Sequence, residues 1–206
     1  MIDNLLILII LTNLFLLGLN RINACIRLVA VQGVLLGILV LVSHFSIHTI
    51  IISLGSIILK GWGFPWLLYR TMRGVNIRQK VEPIIGYTMS LIIGVFILIV
   101  SFWVGERLLL ANSKLLVTVA IFTSMTGLFL TISRRKAINQ VLGYLVLENG
   151  IFCFGTSLTQ HEPLLVEIGV LLDVFVAVFV MGITMFYISE EFDHIDTQHL
   201  SSLRDT

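Results

Sequence analysis

Seven long apolar stretches run through this chain, and they constrain its fold more than any other feature of the sequence. A helix needs about 20 mostly apolar residues to cross the hydrocarbon core of a bilayer. The first stretch is short, so six spanning helices with a shallow first segment is the alternative count. The seven predicted transmembrane helices lie at about Asn4–Leu19, Cys25–Ser43, His48–Tyr69, Pro83–Val104, Lys114–Ile132, Ile138–Leu158 and Pro163–Ile188.

The composition supports the same interpretation. Of 206 residues, 57% are hydrophobic and 12% are charged, and the mean hydropathy is +1.03. Soluble domains usually carry about 25% charged residues. The net charge of +1 provides no broad positive field for a nucleic-acid partner. We therefore expect an all-α, polytopic membrane helix bundle that folds as a single transmembrane domain over residues 1–206.

Basic residues are distributed unevenly between the predicted loops, and this predicts an orientation. Lysine and arginine accumulate in the cytoplasmic loops of membrane proteins. With the amino terminus outside, the inner loops and tail carry ten basic residues, whereas the outer loops carry two, Arg107 and Lys114. The carboxyl terminus is then cytoplasmic. The ten inner residues are Arg21, Arg27, Arg70, Arg73, Arg78, Lys80, Arg134, Arg135, Lys136 and Arg204.

The predicted helices fall into two groups. Residues 1–69 hold the first three helices, and residues 83–188 hold the last four. The longest inner loop, at about Arg70–Glu82, separates the groups, and no linker rich in Pro, Gly or Ser divides the chain into domains. Residues 189–206 form a polar, acidic tail that is predicted to be cytoplasmic.

Three acidic residues lie within the last two predicted helices: Glu148, Glu167 and Asp173. An ionised carboxylate at the bilayer centre costs at least about 2.5 kcal/mol, so such acids are candidates for function. Glu148 and Asp173 lie at comparable depth and are predicted to carry protons; structural hydrogen-bonded acids are the alternative. Glu167 lies six residues before Asp173, on a different face and nearer the outer end, where an interfacial or helix-start role is favoured.

A lysine, Lys60, lies near the middle of the third predicted helix. Gly61, Gly63 and Pro65 follow it, and this combination predicts a kinked or interrupted helix. Backbone groups freed at that depth must be buried in protein or face water. Because burial disfavours the charge of an amine, Lys60 can gain and lose a proton, and it is predicted to face an internal polar path. A static ion pair and a side chain that snorkels to an interface are the alternatives.

Two buried amides are secondary candidates. Gln32 lies in the middle of the second predicted helix, and Asn149 follows Glu148 directly. Hydrogen bonding between helices is the favoured role for Gln32.

We expect no catalytic, metal or cofactor site in this chain. Cys25 and Cys153 lie in different apolar segments, and no third ligand lies near the histidine pair His44 and His48. The sequence has no phosphate-binding loop, catalytic triad, haem motif or cysteine cluster for an iron–sulfur centre. Any redox chemistry is therefore expected in other subunits.

In the carboxyl-terminal third, over about residues 133–206, the stretches Ile138–Gly150, Leu165–Gly169 and Phe175–Val178, with Asp173, resemble hydrogenase-4 component E, the HyfE family. In the more divergent first half, Gln32 and Lys60 with Pro65 match family positions. In the tail, Ile195–Thr197 through Leu200 and Leu203 also carry the resemblance.

Residues 114–206 are similar, more distantly, to the NuoK/MrpC-type subunit of complex I and Mrp antiporters. The glutamate of that subunit aligns with Leu145, one helical turn before Glu148, so the role of Glu148 is inferred from position rather than identity. Asp173 replaces a glutamate, with a shorter side chain of the same chemistry.

The resemblance implies a membrane-arm subunit of a group 4 nickel–iron hydrogenase of the formate hydrogenlyase type, a complex I-like assembly in the inner membrane of a prokaryote. In such assemblies redox chemistry would drive the translocation of protons or another cation, with Glu148 and Asp173 as relay carboxyls, Lys60 as their charged partner and no cofactor in this subunit. Its partners would be antiporter-like and NuoH-like subunits, through them a peripheral hydrogenase arm, and lipid. The alternatives are a subunit of an Mrp-type cation/proton antiporter and a structural scaffold of the membrane arm.

Overall fold

All regular elements in the described part of the chain are helices, as predicted. A computed structural model describes residues 1–43, 47–74, 85–108, 114–134 and 137–158. The elements are α1 (Ile2–Gly18), α2 (Ile22–Ser43), α3 (Ile47–Ile58), a π-helical turn (Leu59–Gly63), α4 (Phe64–Gly74), α5 (Tyr87–Arg107), α6 (Lys114–Ser133) and α7 (Ala137–Leu158). The predicted helix Pro163–Ile188, with Glu167 and Asp173, and the tail lie outside the described residues.

Three of the described helices, α2, α5 and α6, are long and apolar enough to cross a membrane, judged by length and composition. Helix α1 is a shorter apolar helix of 17 residues. These helices fit a membrane-integral helical protein. The count of seven spans and the orientation remain predictions.

Most buried apolar side chains of the described residues fall into two separate clusters. The first cluster comprises Leu16, Leu17, Ile22, Cys25, Ile26, Val29, Phe64, Leu68, Leu130, Ile138, Val141, Leu142, Leu145 and Val146. The second cluster comprises Leu6, Ile9, Leu36, Leu39, Val119, Ala120 and Cys153. Four helices, α1, α2, α6 and α7, contribute to both clusters.

The order of the two clusters along the chain reverses from one helix to the next. Along α1 the chain passes the second cluster, then Asn13, then the first cluster. Along α2 it passes the first cluster, then Gln32, then the second cluster. The same reversal relates α6, around Thr123, to α7, around Glu148. Each pair is therefore antiparallel, and polar residues from four helices are brought to one level between two apolar regions.

Helices α6 and α7 form the closest pair, because small residues line their contact. A Cβ atom placed on Gly127 would lie 2.2 Å from the backbone nitrogen of Leu147. One placed on Gly150 would lie 2.4 Å from the backbone nitrogen of Ser124. Small residues allow the backbones of membrane helices to approach each other closely. This contact fixes the height at which Glu148 faces the bundle.

Replacing Gly127 with alanine is expected to lower the thermal unfolding midpoint of the full chain in mild detergent. The added methyl group would collide with backbone, and an overpacked site typically costs about 1–3 kcal/mol. The control is Gly55→Ala on α3, where a Cβ meets nothing within 4 Å. It should leave the midpoint unchanged or raise it, since alanine favours a helix over glycine. Equal midpoints for the two variants would contradict the close contact of α6 with α7.

Candidate functional site

Lys60 enters the bundle through the interruption that the sequence predicts. Helix α3 ends at Ile58, the π-helical turn covers Leu59–Gly63, and α4 begins at Phe64, directly before Pro65. A π-helical turn takes more residues per turn than an α-helix, so it changes the direction of the side chains around it and is frequent at functional sites. Lys60 lies within the turn and is buried, with 5% of its surface exposed.

Glycines on both sides allow α2 to pack closely against the π-helical turn. A Cβ on Gly33 of α2 would lie 2.6 Å from the Cβ of Lys60, and a Cβ on Gly61 would lie 2.8 Å from Val34. Lys60 is therefore packed tightly at its base, and its long side chain extends to α7.

The ammonium group of Lys60 forms an ion pair with the Oε1 atom of Glu148. The two side chains are 4% and 1% exposed. The same ammonium donates a hydrogen bond to Oδ1 of Asn149 at 3.2 Å and lies 4.8 Å from the ring centroid of Phe152. Removing two charges from water costs several kcal/mol for each ion, which the charge pairing, the hydrogen bonds and the aromatic ring offset. Lys60 therefore does not snorkel to an interface, and it reaches an acid.

Three amides continue from the ion pair into the bundle; we call Asn149, Gln32 and Asn13 the amide chain. Asn149 donates to Oε1 of Gln32 at 3.4 Å, and Gln32 donates to Oδ1 of Asn13 at 2.9 Å. Asn13 donates to the hydroxyl of Thr123 at 2.8 Å. Because these residues lie on α7, α2, α1 and α6, the hydrogen bonding between helices that was expected for Gln32 is confirmed.

The ion pair, the amide chain and Thr123 form one polar layer between the two apolar clusters. Each of its six residues is at least nine-tenths buried. Electrostatic interactions are stronger in such surroundings than in water, and a buried polar group without a partner is correspondingly costly. The polar layer therefore has few alternative arrangements of equal stability.

A small cavity adjoins the polar layer on the side of the first cluster. Its volume is ≈ 10 Å³, about the space of one water molecule. Lys60 and Asn149 are its polar lining, and Ile26, Phe64 and Leu145 are among its apolar lining. A single water could contact both polar side chains there.

Sequence reasoning identified four residues of the polar layer and missed Asn13 and Thr123. Asn13 had a usable signal, since an amide within an apolar helix usually bonds to a neighbouring helix. Thr123 had no distinguishing signal, because threonine is common in these helices and its hydroxyl often bonds within its own helix.

Arg134 lies between α6 and α7, in the connection where the sequence placed it, and 2% of its surface is exposed. Its guanidinium donates to the carbonyl of Leu17 at 3.4 Å and lies 5.9 Å from the ring of Tyr87. Burial lowers the pKa of Arg134, although arginine stays charged at physiological pH.

Among the described residues, no group of three metal-ligating side chains is present.

The fold and the polar layer are those of a membrane-integral helical protein with a buried ion pair. The chain is 27% identical to hydrogenase-4 component E of Escherichia coli over 214 aligned positions, which cover 98% of this chain and 97% of that protein. The same values hold for hydrogenase-4 component E of Shigella flexneri. The chain is also 28% identical to an uncharacterized protein of Mycobacterium tuberculosis over 190 positions, 89% of this chain and 86% of that one.

No family model and no solved structure matches the chain. The similarity to component E extends over nearly the whole chain and so gives the predicted resemblance weak support. The similarity of residues 114–206 to the NuoK/MrpC-type subunit remains a prediction.

Removing either member of the ion pair is expected to destabilise the full chain in detergent. Lys60→Met and Glu148→Gln each leave one charge buried without its counter-charge, which typically costs about 3–5 kcal/mol. The double variant should recover much of that loss, because both charges are then gone. Lys114→Met and Glu106→Gln remove exposed charges and serve as controls. Additive losses in the double variant, measured by thermal unfolding, would contradict the ion pair.

Proposed function

We propose that this chain is a membrane-arm subunit of a complex I-like assembly, a group 4 nickel–iron hydrogenase of the formate hydrogenlyase type, and that it contributes to a proton path. The buried ion pair between Lys60 and Glu148 is the observation that carries the site. The similarity to hydrogenase-4 component E over nearly the whole chain supports the assembly. The redox cofactors would lie in other subunits.

The ion pair has two charge states that suit a relay. In the first, the ammonium of Lys60 faces the carboxylate of Glu148. In the second, the proton has moved from Nζ of Lys60 to the carboxylate, and both groups are neutral. A charge that arrives in a neighbouring subunit could shift the balance between the two states, and this is how the redox arm would act on the pair.

The proton path would need further groups on both sides of the pair. Asp173 is proposed as the second relay carboxyl, with Glu167, Gln32 and Asn149 as secondary members. Bridging waters would carry the proton wherever two groups are farther apart than a hydrogen bond. The cavity beside Lys60 and Asn149 has room for one such water.

The membrane topology that we propose follows from the uneven distribution of basic residues between the predicted loops. Seven helices would span the cytoplasmic membrane of a prokaryote, with the amino terminus outside and the carboxyl terminus inside. Antiporter-like and NuoH-like subunits would flank the chain and connect it to the peripheral arm. The coupling ion is proposed to be the proton, because lysine and glutamate exchange protons directly.

A structural scaffold is the second candidate function. It is favoured by the tight packing of the polar layer, whose neighbours are two apolar clusters and a cavity of one water. In a scaffold, the ion pair would join α7 to the π-helical turn and keep one charge state throughout turnover.

Co-purification tests the assembly. The full chain, tagged in its native host, is extracted with a mild detergent and its partners are identified by mass spectrometry. Large and small subunits of a nickel–iron hydrogenase are expected together with membrane-arm subunits. Recovery of cation/proton antiporter subunits without any hydrogenase subunit would overturn the proposal and favour an Mrp-type antiporter.

Neutralising Glu148 is expected to abolish most coupled proton movement. In everted vesicles driven by formate or hydrogen, Glu148→Gln should reduce proton uptake per electron by at least about tenfold, a modest loss for a proton-transferring group. Glu106→Gln, which removes an exposed carboxylate, is the matched control and should behave as wild type. Full retention of proton uptake by Glu148→Gln, at a normal amount of assembled complex, would contradict the relay.

Replacing Lys60 with arginine separates the relay from the scaffold. Arginine keeps the positive charge and can still pair with Glu148, but it does not give up its proton in proteins. A relay through Lys60 predicts an assembled complex with greatly reduced proton uptake. Wild-type proton uptake by the Lys60→Arg complex would favour the scaffold.

A further inference from the structure

The hydrogen bonds that lead from Lys60 through the amide chain to Thr123 run in one direction. Lys60 donates to Asn149, Asn149 donates to Gln32, and Gln32 donates to Asn13. Asn13 in turn donates to the hydroxyl of Thr123. Every amide therefore presents its carbonyl oxygen on the side of Lys60 and its NH₂ group on the side of Thr123.

This direction is fixed at the Lys60 end of the amide chain. An ammonium has three donors and no acceptor, so Asn149 must turn its oxygen towards Lys60. At the other end, the hydroxyl of Thr123 can donate or accept, and with the direction set by Lys60 it accepts the N–H of Asn13. Turning one amide over would place two donors or two acceptors against each other and would leave buried polar groups unpaired, which is unfavourable.

We propose that Gln32, Asn13 and Thr123 are positioning residues, which hold the carbonyl of Asn149 against the ammonium of Lys60 and so keep that ammonium aligned on Glu148. This inference rests on the proposed proton relay. It gives the amides of the chain the role of positioning Lys60 rather than of carrying protons. Amide side chains donate and accept hydrogen bonds but do not titrate. Their aligned dipoles place the negative ends towards Lys60.

The position of Thr123 makes the inference testable without changing any group that Lys60 or Glu148 contacts. Thr123 lies on α6 and is joined to Lys60 through three amides. Thr126, on the same helix, is also fully buried, and its hydroxyl has no hydrogen-bond partner in the described part of the chain. The two threonines are therefore a matched pair for replacement by valine, which keeps the shape and removes the hydroxyl.

The first measurement is proton uptake per electron in everted vesicles. Thr123→Val is expected to reduce proton uptake by about two- to twelvefold, the range that corresponds to the loss of one neutral hydrogen bond. Thr123→Ser, which keeps the hydroxyl, should restore most of the rate, and Thr126→Val should match wild type. Equal rates for Thr123→Val and Thr126→Val would overturn the positioning role.

The second measurement does not depend on proton movement. Thermal unfolding midpoints of the full chain in detergent are compared for Thr123→Val, Lys60→Met and the double variant. If Thr123 acts through the amide chain on Lys60, Thr123→Val should lower the midpoint less in the Lys60→Met background than in wild type. Independent, additive shifts would overturn the inference.

The two measurements separate this inference from the proposed function. If the Glu148→Gln complex takes up protons normally while the midpoint shifts of Thr123→Val and Lys60→Met are non-additive, Glu148 is not a proton relay. The amide chain is then a structural connection only, and its proposed role in proton transfer is refuted. If Glu148→Gln abolishes proton uptake and the midpoint shifts are additive, Glu148 remains a proton relay and the positioning role of Gln32, Asn13 and Thr123 is refuted.

Discussion

The buried ion pair between Lys60 and Glu148 sets the conditions that the surrounding structure has to meet. Buried charges are costly unless they are paired and hydrogen-bonded. The amide of Asn149 takes one donor of Lys60, and its own NH₂ group then needs an acceptor, which Gln32 supplies. Each buried polar group thus requires the next, until the hydroxyl of Thr123 accepts the last donor.

The packing of the helices follows from the same requirement. Lys60 reaches α7 because a π-helical turn redirects it and because Gly33 leaves room beside it on α2. Glu148 meets it at the right height because Gly127 and Gly150 bring α6 and α7 together. The two apolar clusters then enclose the polar layer from opposite sides, which keeps bulk water away and lets small changes in charge have large energetic effects.

Much of this arrangement could be predicted from the sequence, and the part that could not has a physical reason. The helices follow from apolar length, and the interruption at Lys60 follows from two glycines and Pro65, because both are local properties. Asn149 and Gln32 were recognised as isolated amides in apolar helices. The partner of Lys60 could not be assigned, because it depends on how α2, α6 and α7 pack. The burial of Arg134 beside Leu17 could not be predicted either, because it is a tertiary contact that no local pattern reports.

The central claim is that Glu148 changes its protonation state while the assembled complex turns over. Infrared difference spectroscopy of the complex measures this directly, because a protonated carboxyl group and a carboxylate absorb at separate frequencies. A relay predicts a protonated-carboxyl band that forms during turnover and is missing in the Glu148→Gln complex. A Glu148 that remains a carboxylate throughout turnover, in a complex that still moves protons, would contradict the relay and leave the ion pair with a structural role.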